Sequence, residues 1–193
     1  PDLAGILNSH LTGMYLGSVS PDLPYPAVLE HYTGSRSWAD YMHKEKTNGI
    51  LINGIEKLRE LRDKQDPNFN NKLAWLLGYA SHLIVDAVIH PIVEAIVGPY
   101  AIPENRKLHF FCEQTQDTFI FNEIEGTELI ESDFVPINLG TGHTEELEEV
   151  FEFWKELMVH TYFPDIEYPI RAKKDSAAKR RRGTVKDITG ERI

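Results

Sequence analysis

The sequence predicts an all-α fold, a multi-helix bundle of five to seven helices with one long loop over an end. Apolar residues recur at helical intervals along several segments, whereas the alternation typical of strands is weak throughout. Clusters of proline, glycine and asparagine separate these segments, as at Asp66-Pro67-Asn68 and Gly98-Pro99. With 193 residues, 41% of them hydrophobic, the chain is long enough to form one domain with a substantial core.

The first third of the chain is predicted to hold two helices separated by a loop. Residues 1–20 predict a helix that breaks near Gly17. Residues 21–40 contain three prolines, a glycine and two serines, which predict an irregular loop. Residues 41–64 carry an apolar stripe at helical spacing and predict one continuous helix. The stripe consists of Ile50, Leu51, Ile55, Leu58 and Leu61.

Three further helices are predicted after residue 69. Residues 70–97 are mostly apolar, so we expect a long helix that surrounding elements bury on most sides. Residues 103–121 predict another helix, because Pro103 would occupy a tolerated first-turn position. Residues 126–142 predict a loop, and residues 144–160 predict a last helix with Thr144 as its N-cap.

Composition excludes several classes of protein. Cys112 is the only cysteine, so a disulfide scaffold is excluded. No uninterrupted apolar run approaches the roughly 20 residues that span a bilayer, and no signal-like segment opens the sequence. We therefore expect a cytoplasmic protein, or a secreted one if a leader precedes Pro1.

Charge divides the chain into an acidic body and a basic tail. The net charge is −10, yet residues 171–193 hold nine Lys and Arg against three Asp and Glu. We predict one domain over residues 1–168 and a solvated tail over 169–193. The tail could contact anionic lipid head groups or nucleic acid. The acidic body makes a dedicated nucleic-acid binder the less favoured class.

Two polar ladders stand out within the predicted helices. His82, Asp86 and His90 recur every four residues in an apolar segment, so they share one helical face. His109 and Glu113 form a second ladder, which Asp117 continues. Burying imidazoles and a carboxylate without partners would cost several kcal/mol. A bound cation is the simplest compensation, and ligand ladders on neighbouring helices are a common way to build such a centre.

Seven residues are candidate ligands, because zinc prefers imidazole and carboxylate groups. They are Asp22, His43, His82, Asp86, His90, His109 and Glu113. We predict that Asp117 accepts a hydrogen bond from a ligand histidine. A lone histidine is more often an ordinary core or surface residue, and this reading is preferred for the four others. They are His10, His31, His143 and His160.

The ordered motifs resemble the zinc-dependent phospholipase C family, whose fold is shared with the S1/P1-type nucleases. The resemblance covers roughly residues 10–120. Its motifs are Gly17-Ser18-Val19-Ser20-Pro21-Asp22-Leu23-Pro24-Tyr25, Met42-His43, Gly78-Tyr79-Ala80-Ser81-His82 with Asp86, and His109 with Glu113 and Asp117. The resemblance implies a helical hydrolase with a zinc cluster in a cleft, under the long loop.

The resemblance also implies a division of the ligands. Asp22, His43, His82 and Asp86 would hold one zinc, and Asp86 would bridge toward a second, held by His90, His109 and Glu113. A third ion in the family uses the mature N-terminal residue and an early histidine, for which this chain offers His10. His90 follows Asp86 by four residues, a shorter gap than in the best-known secreted enzymes. The expected cofactor is therefore two or three Zn²⁺ ions.

The expected activity is zinc-dependent hydrolysis of a phosphodiester, in which a metal-activated water attacks phosphorus. The substrate would be a small-molecule or lipid phosphodiester, and Asp22 would serve as ligand, general base or both. Tyr25, Tyr32, Trp38 and Tyr41 are either cleft-lining or core residues. Two alternatives stay open: an S1/P1-like nuclease or nucleotide hydrolase, and a non-catalytic module in which metal supports folding or partner binding.

Overall fold

The computed structural model describes residues 2–25, 35–128 and 145–165. These residues form seven α-helices and contain no strand, which confirms the all-α prediction. The helices are α1 (Leu3–Ser9), α2 (Leu11–Val19), α3 (Ser35–Lys44), α4 (Gly49–Asp63), α5 (Phe69–Val97), α6 (Pro103–Glu125) and α7 (Glu145–Tyr162). The predicted tail, the domain boundary at residue 168 and the capping residue Thr144 lie outside the described residues, as do residues 26–34 of the first predicted loop and 129–142 of the second.

Helix α5 is the central element, and its first half lies in the core. Trp75 and Tyr79 are fully buried there and pack against side chains of α2, α4 and α7. The Trp75 indole N–H donates a 3.0 Å hydrogen bond to the Ser20 hydroxyl at the end of α2. The buried Lys72 ammonium lies 3.3 Å from both Asp66 and Glu149, and so joins the turn before α5 to α7.

Helices α2 and α5 cross in very close contact because glycines occupy the crossing. A Cβ atom at Gly17 would lie well inside 3.0 Å of the Trp75 carbonyl oxygen. A Cβ atom at Gly78 would meet the Met14 carbonyl oxygen in the same way. Only glycine therefore allows the two backbones to approach this closely. The approach brings the end of α2, and the turn that follows it, beside the middle of α5.

Several predicted boundaries were wrong. The first helix breaks at His10, where φ is −131° and ψ is 38°, and Gly17 lies inside α2. The predicted loop over 21–40 ends early, since α3 begins at Ser35. The predicted helix over 41–64 is divided by a turn at residues 45–48, where Lys46 has a φ of 47°. A residue with left-handed backbone angles ends a right-handed helix, and the apolar stripe in the sequence gives no sign of this turn.

The ends of α5 and α6 follow the sequence more closely. Gly98 ends α5 with a φ of 93°, and Pro99 follows it. Pro103 opens α6, where its missing N–H costs nothing. Gly126, in the left-handed region with a φ of 67°, ends α6 four residues later than predicted. The short connection between them, residues 98–102, places α6 against α5.

The second half of α5 is not buried on most sides, which corrects the sequence prediction. Its outward face exposes an apolar row consisting of Ile84, Val85, Val88, Ile92 and Ile96. By length and composition α5 is the one described helix that could cross a membrane, although no single apolar run in the sequence reaches 20 residues. A single helix of this kind does not establish a membrane span. The inner face of the second half of α5 carries the polar ladder of His82, Asp86 and His90.

Candidate metal centre

The inner face of α5 presents His82, Asp86 and His90 one turn apart, as their spacing predicts. Helix α6 places His109 and Glu113 opposite the end of this ladder. The turn after α2 contributes Asp22, and the last turn of α3 contributes His43. The structure therefore brings all seven predicted ligands together, from four separate parts of the chain.

Asp22, His43 and His82 form a first group. Their ligand atoms all lie within 4.8 Å of one another. His43 Nε2 lies 3.1 Å from the Asp22 carboxylate and 3.4 Å from His82 Nε2. His82 Nε2 lies 3.2 Å from Asp86 Oδ2. Two imidazole nitrogens and the Asp22 carboxylate thus converge, and Asp86 Oδ2 lies within 3.8 Å of the same two nitrogens.

Backbone carbonyls hold both imidazoles in the orientation that a metal requires. His43 Nδ1 lies 2.8 Å from the Ala39 carbonyl oxygen, and His82 Nδ1 lies 2.9 Å from the Ser18 carbonyl oxygen. A carbonyl only accepts, so each Nδ1 carries the proton and donates it. The Nε2 lone pairs then point at each other and at the carboxylates. This donor set fits a cation such as zinc.

His90, His109 and Glu113 form a second group, also within 4.8 Å. The Glu113 carboxylate lies 3.2 Å from His90 Nε2 and 3.0 Å from His109 Nε2. The two imidazole rings stand nearly perpendicular, at 85°, with centroids 5.2 Å apart. His109 is buried, and its Nδ1 has no hydrogen-bond partner within the described residues. The second imidazole pair is therefore less firmly oriented than the first.

Asp86 lies between the two groups. Its Oδ2 is 3.2 Å from His82 Nε2 and 3.8 Å from His43 Nε2. Its Oδ1 faces the other way and lies 3.9 Å from His90 Nε2. Each oxygen of the Asp86 carboxylate therefore faces a different group, which is the arrangement that a bridging ligand needs.

Neighbouring charges set the protonation of the cluster. Burial is the largest single influence on the pKa of His82 and would lower it. The hydrogen bond to Asp86, the charges of Asp86 and Asp22 and the bond to the Ser18 carbonyl together outweigh burial and raise this pKa. Burial also acts most strongly on His43, whose pKa is raised by its hydrogen bonds to Asp22 and Ala39 together with the charges of Asp22 and Asp86. Burial would raise the pKa of Asp86, yet its hydrogen bond to His82 and the nearby histidines lower it. The hydrogen bond to Glu113 raises the pKa of His90. Without a bound metal ion, the neighbouring carboxylates therefore favour the protonated form of these histidines.

The free energy of unfolding of the metal-free protein should therefore fall as pH rises above the histidine range. The contribution of His43 and His82 is full below their ordinary pKa of 6.5 and is lost as pH passes the raised values. That of Asp86 is present above its ordinary pKa of 3.8 and is lost as pH falls through the lowered value. We expect the Tm of chelated protein to drop as pH rises from the ordinary histidine pKa of 6.5 through the raised values.

Zinc should act in the opposite sense, because only unprotonated imidazole binds metal. The rise in Tm on adding zinc is expected to grow over the same pH interval. Thermal unfolding followed by circular dichroism measures both effects. His82→Gln removes one raised pKa and should flatten the pH dependence of the chelated protein. Equal pH dependence of the wild type and His82→Gln would contradict the assignment.

Aromatic side chains flank the two groups. The Tyr25 ring lies 5.4 Å from the His43 ring, and the Tyr100 ring lies 5.0 Å from the His109 ring. Burial and neighbouring charges, including Asp40, raise the pKa of Tyr25, so its phenol stays protonated. Tyr41 stacks on Tyr162 and belongs to an aromatic cluster with Trp38 and Phe163. Tyr32 lies outside the described residues.

Asp117 was predicted to accept a hydrogen bond from a ligand histidine, and this prediction was wrong for the described residues. Backbone carbonyls, not Asp117, accept the hydrogen bonds of His43 and His82, and His109 Nδ1 has no described partner. Burial raises the pKa of Asp117, and the charges of Glu113 and Asp22 raise it further. His10 lies at the break between α1 and α2 and belongs to neither described group.

Sequence reasoning missed two kinds of site feature. The Ser18 and Ala39 carbonyls carry no sequence signal, because any residue provides a backbone oxygen. Tyr100 was missed because it follows Gly98-Pro99 in a connection without periodicity. The position of Tyr100 shortly before the His109 and Glu113 ladder of α6 was the one sequence signal that could have indicated its place at the site.

Comparison with known proteins gives one finding. The family described as zinc-dependent phospholipase C matches residues 1–143, a range that includes all seven predicted ligands. No curated protein and no solved structure matches the chain.

Proposed function

The chain belongs to the zinc-dependent phospholipase C family, and from this premise we propose that it hydrolyses a lipid phosphodiester at the centre between α5 and α6. The observation that carries the proposal is the pair of three-residue groups joined by Asp86. Zinc-dependent activity in the family agrees with a donor set of imidazoles and carboxylates.

We propose that the first group and Asp86 hold one zinc ion and that the second group and Asp86 hold another. Bound zinc supplies hydroxide at neutral pH and neutralises charge that develops on the phosphoryl group. His43 and His82 are ready to bind because their Nδ1 protons are already committed to backbone carbonyls. A third ion is not part of the proposal, since His10 lies outside both groups.

Asp22 is the proposed catalytic residue. Its side chain is 59% exposed, against 28% for Asp86, so it stands at the open side of the first group. One carboxylate oxygen faces His43. The other can accept the proton of the attacking water, which makes Asp22 both a ligand and a general base. The products would be a phosphomonoester and an alcohol.

Metal stoichiometry tests the proposal first. Full-length, tag-free protein purified without chelator is expected to carry two zinc equivalents by elemental mass spectrometry. It should also cleave phosphatidylcholine or a nitrophenyl phosphodiester, with activity lost to a chelator and restored by zinc. Near-zero metal after zinc reloading would overturn the centre. Two zinc ions without hydrolysis of any phosphodiester would favour the non-catalytic module instead.

A further inference from the structure

An arginine stands beside the second group without an acidic partner. Arg106 lies on α6 three residues before His109, so the two side chains leave adjacent parts of one helical face. Arg106 is exposed, and none of the described carboxylates forms a salt bridge with it. A cation in the first turn of a helix also opposes the helix dipole. Neither a salt bridge nor the dipole of α6 therefore explains this charge.

Tyr100 fixes Arg106 relative to the centre. The guanidinium carbon lies 5.6 Å from the centroid of the Tyr100 ring, whose edge-on neighbour is the His109 ring. Arg106 Nε donates to the Tyr100 carbonyl oxygen at 3.4 Å. The Tyr100 backbone N–H in turn donates to Glu94 at 3.1 Å. The guanidinium and the ring of a proposed zinc ligand, His109, therefore both contact the same Tyr100 ring.

The remaining guanidinium N–H groups suit a phosphoryl group. Only Nε is committed, so both terminal nitrogens can donate to two oxygens of one phosphate in the fork geometry that arginine favours. The guanidinium also lies over the Tyr100 ring, which therefore does not offer that ring face to a quaternary ammonium group.

We propose that Arg106 binds the non-bridging phosphoryl oxygens of the substrate and of the phosphomonoester product. The substrate part of this inference rests on the proposed function. The phosphate-binding part does not, because inorganic phosphate carries the same chemistry. Tyr100 acts as a positioning residue, because its ring contacts both the guanidinium and the His109 ring and its carbonyl accepts from Arg106 Nε.

Lys107 provides a matched control. It is the next residue on α6, is exposed, and lies over the Phe111 ring, with its Nζ 5.6 Å from the ring centroid. Arg106→Gln and Lys107→Gln each remove one positive charge from the same helix, so a loss caused by net charge alone would be equal in both. Arg106→Lys keeps the charge without the fork and serves as the conservative variant.

The experiment is isothermal titration of zinc-loaded full-length protein with inorganic phosphate. Arg106→Gln is expected to weaken phosphate binding by about tenfold or more, whereas Lys107→Gln should change it by less than about twofold. Arg106→Lys should fall between the wild type and Arg106→Gln. Zinc content, measured on every variant, should be unchanged.

Equal phosphate affinity of Arg106→Gln and Lys107→Gln would overturn the inference, as would absence of phosphate binding by the wild type. Hydrolysis that does not depend on Arg106 would also overturn it and leave the proposed function intact. Phosphate binding that depends on Arg106, without hydrolysis of any phosphodiester, would support the inference and overturn the proposed function.

Discussion

Asp86→Asn is expected to remove most bound zinc and to lower hydrolysis by more than about a hundredfold. Each Asp86 oxygen faces one group of imidazoles, so the carboxylate would contact both ions. Asparagine has almost the same shape but no charge, and its amide nitrogen cannot donate a lone pair to a metal. The loss should therefore reach both sites, which loss of a ligand to a single ion would not do.

Elemental mass spectrometry and the rate of phosphodiester hydrolysis measure this effect in parallel. Asp63→Asn is the matched control, because Asp63 is exposed on α4 and, among the described residues, pairs only with the neighbouring Arg62. The same chemical change there should leave both readouts within about twofold of the wild type. An Asp86→Asn protein that retains its full zinc content would refute the bridging role.

Gly17→Ala is expected to lower the free energy of unfolding by about 1–3 kcal/mol and to weaken zinc binding at the first group. The new methyl group would meet the Trp75 backbone, which cannot rotate away. Helix α2 must then move off α5. That movement would withdraw the Ser18 carbonyl from His82 and the Asp22 carboxylate from His43.

Urea unfolding and zinc titration separate the two consequences. Gly13→Ala is the graded control on the same helix, because its Cβ would mainly meet the Asn71 side chain, which can shift. We expect Gly13→Ala to cost less stability and to leave zinc affinity nearly unchanged. If Gly17→Ala kept the zinc affinity of the wild type while losing stability, the crossing would matter for folding alone.

The helical class was predictable because it depends on local periodicity. The apolar stripes of α4 and α5, and the glycines and prolines between α5 and α6, lead directly to the observed helices. The turn at residues 45–48 was not predictable from the stripe, because it depends on the backbone angle of one lysine. The exposure of the second half of α5 was also missed, since an apolar sequence does not specify which elements pack against it.

The ligand ladders were predictable for the same reason as the helices. A spacing of four residues places His82 beside Asp86, and His109 beside Glu113, wherever the helices lie. Asp22 and His43 carry no such pattern, and they were candidates by residue type and by their place in the motifs that resemble a family. Their pairing at 3.1 Å joins the turn after α2 to the end of α3.

The sequence by itself determined the helical class, the donor atoms and their alignment along α5 and α6, because helical geometry repeats within a few residues. Tertiary structure decided that the two ladders and two distant side chains converge, that Asp86 faces both groups, and that backbone oxygens orient His43 and His82. These relations depend on how closely α2 crosses α5 at Gly17 and Gly78. Packing between segments far apart in the chain sets that distance, and no local pattern encodes it.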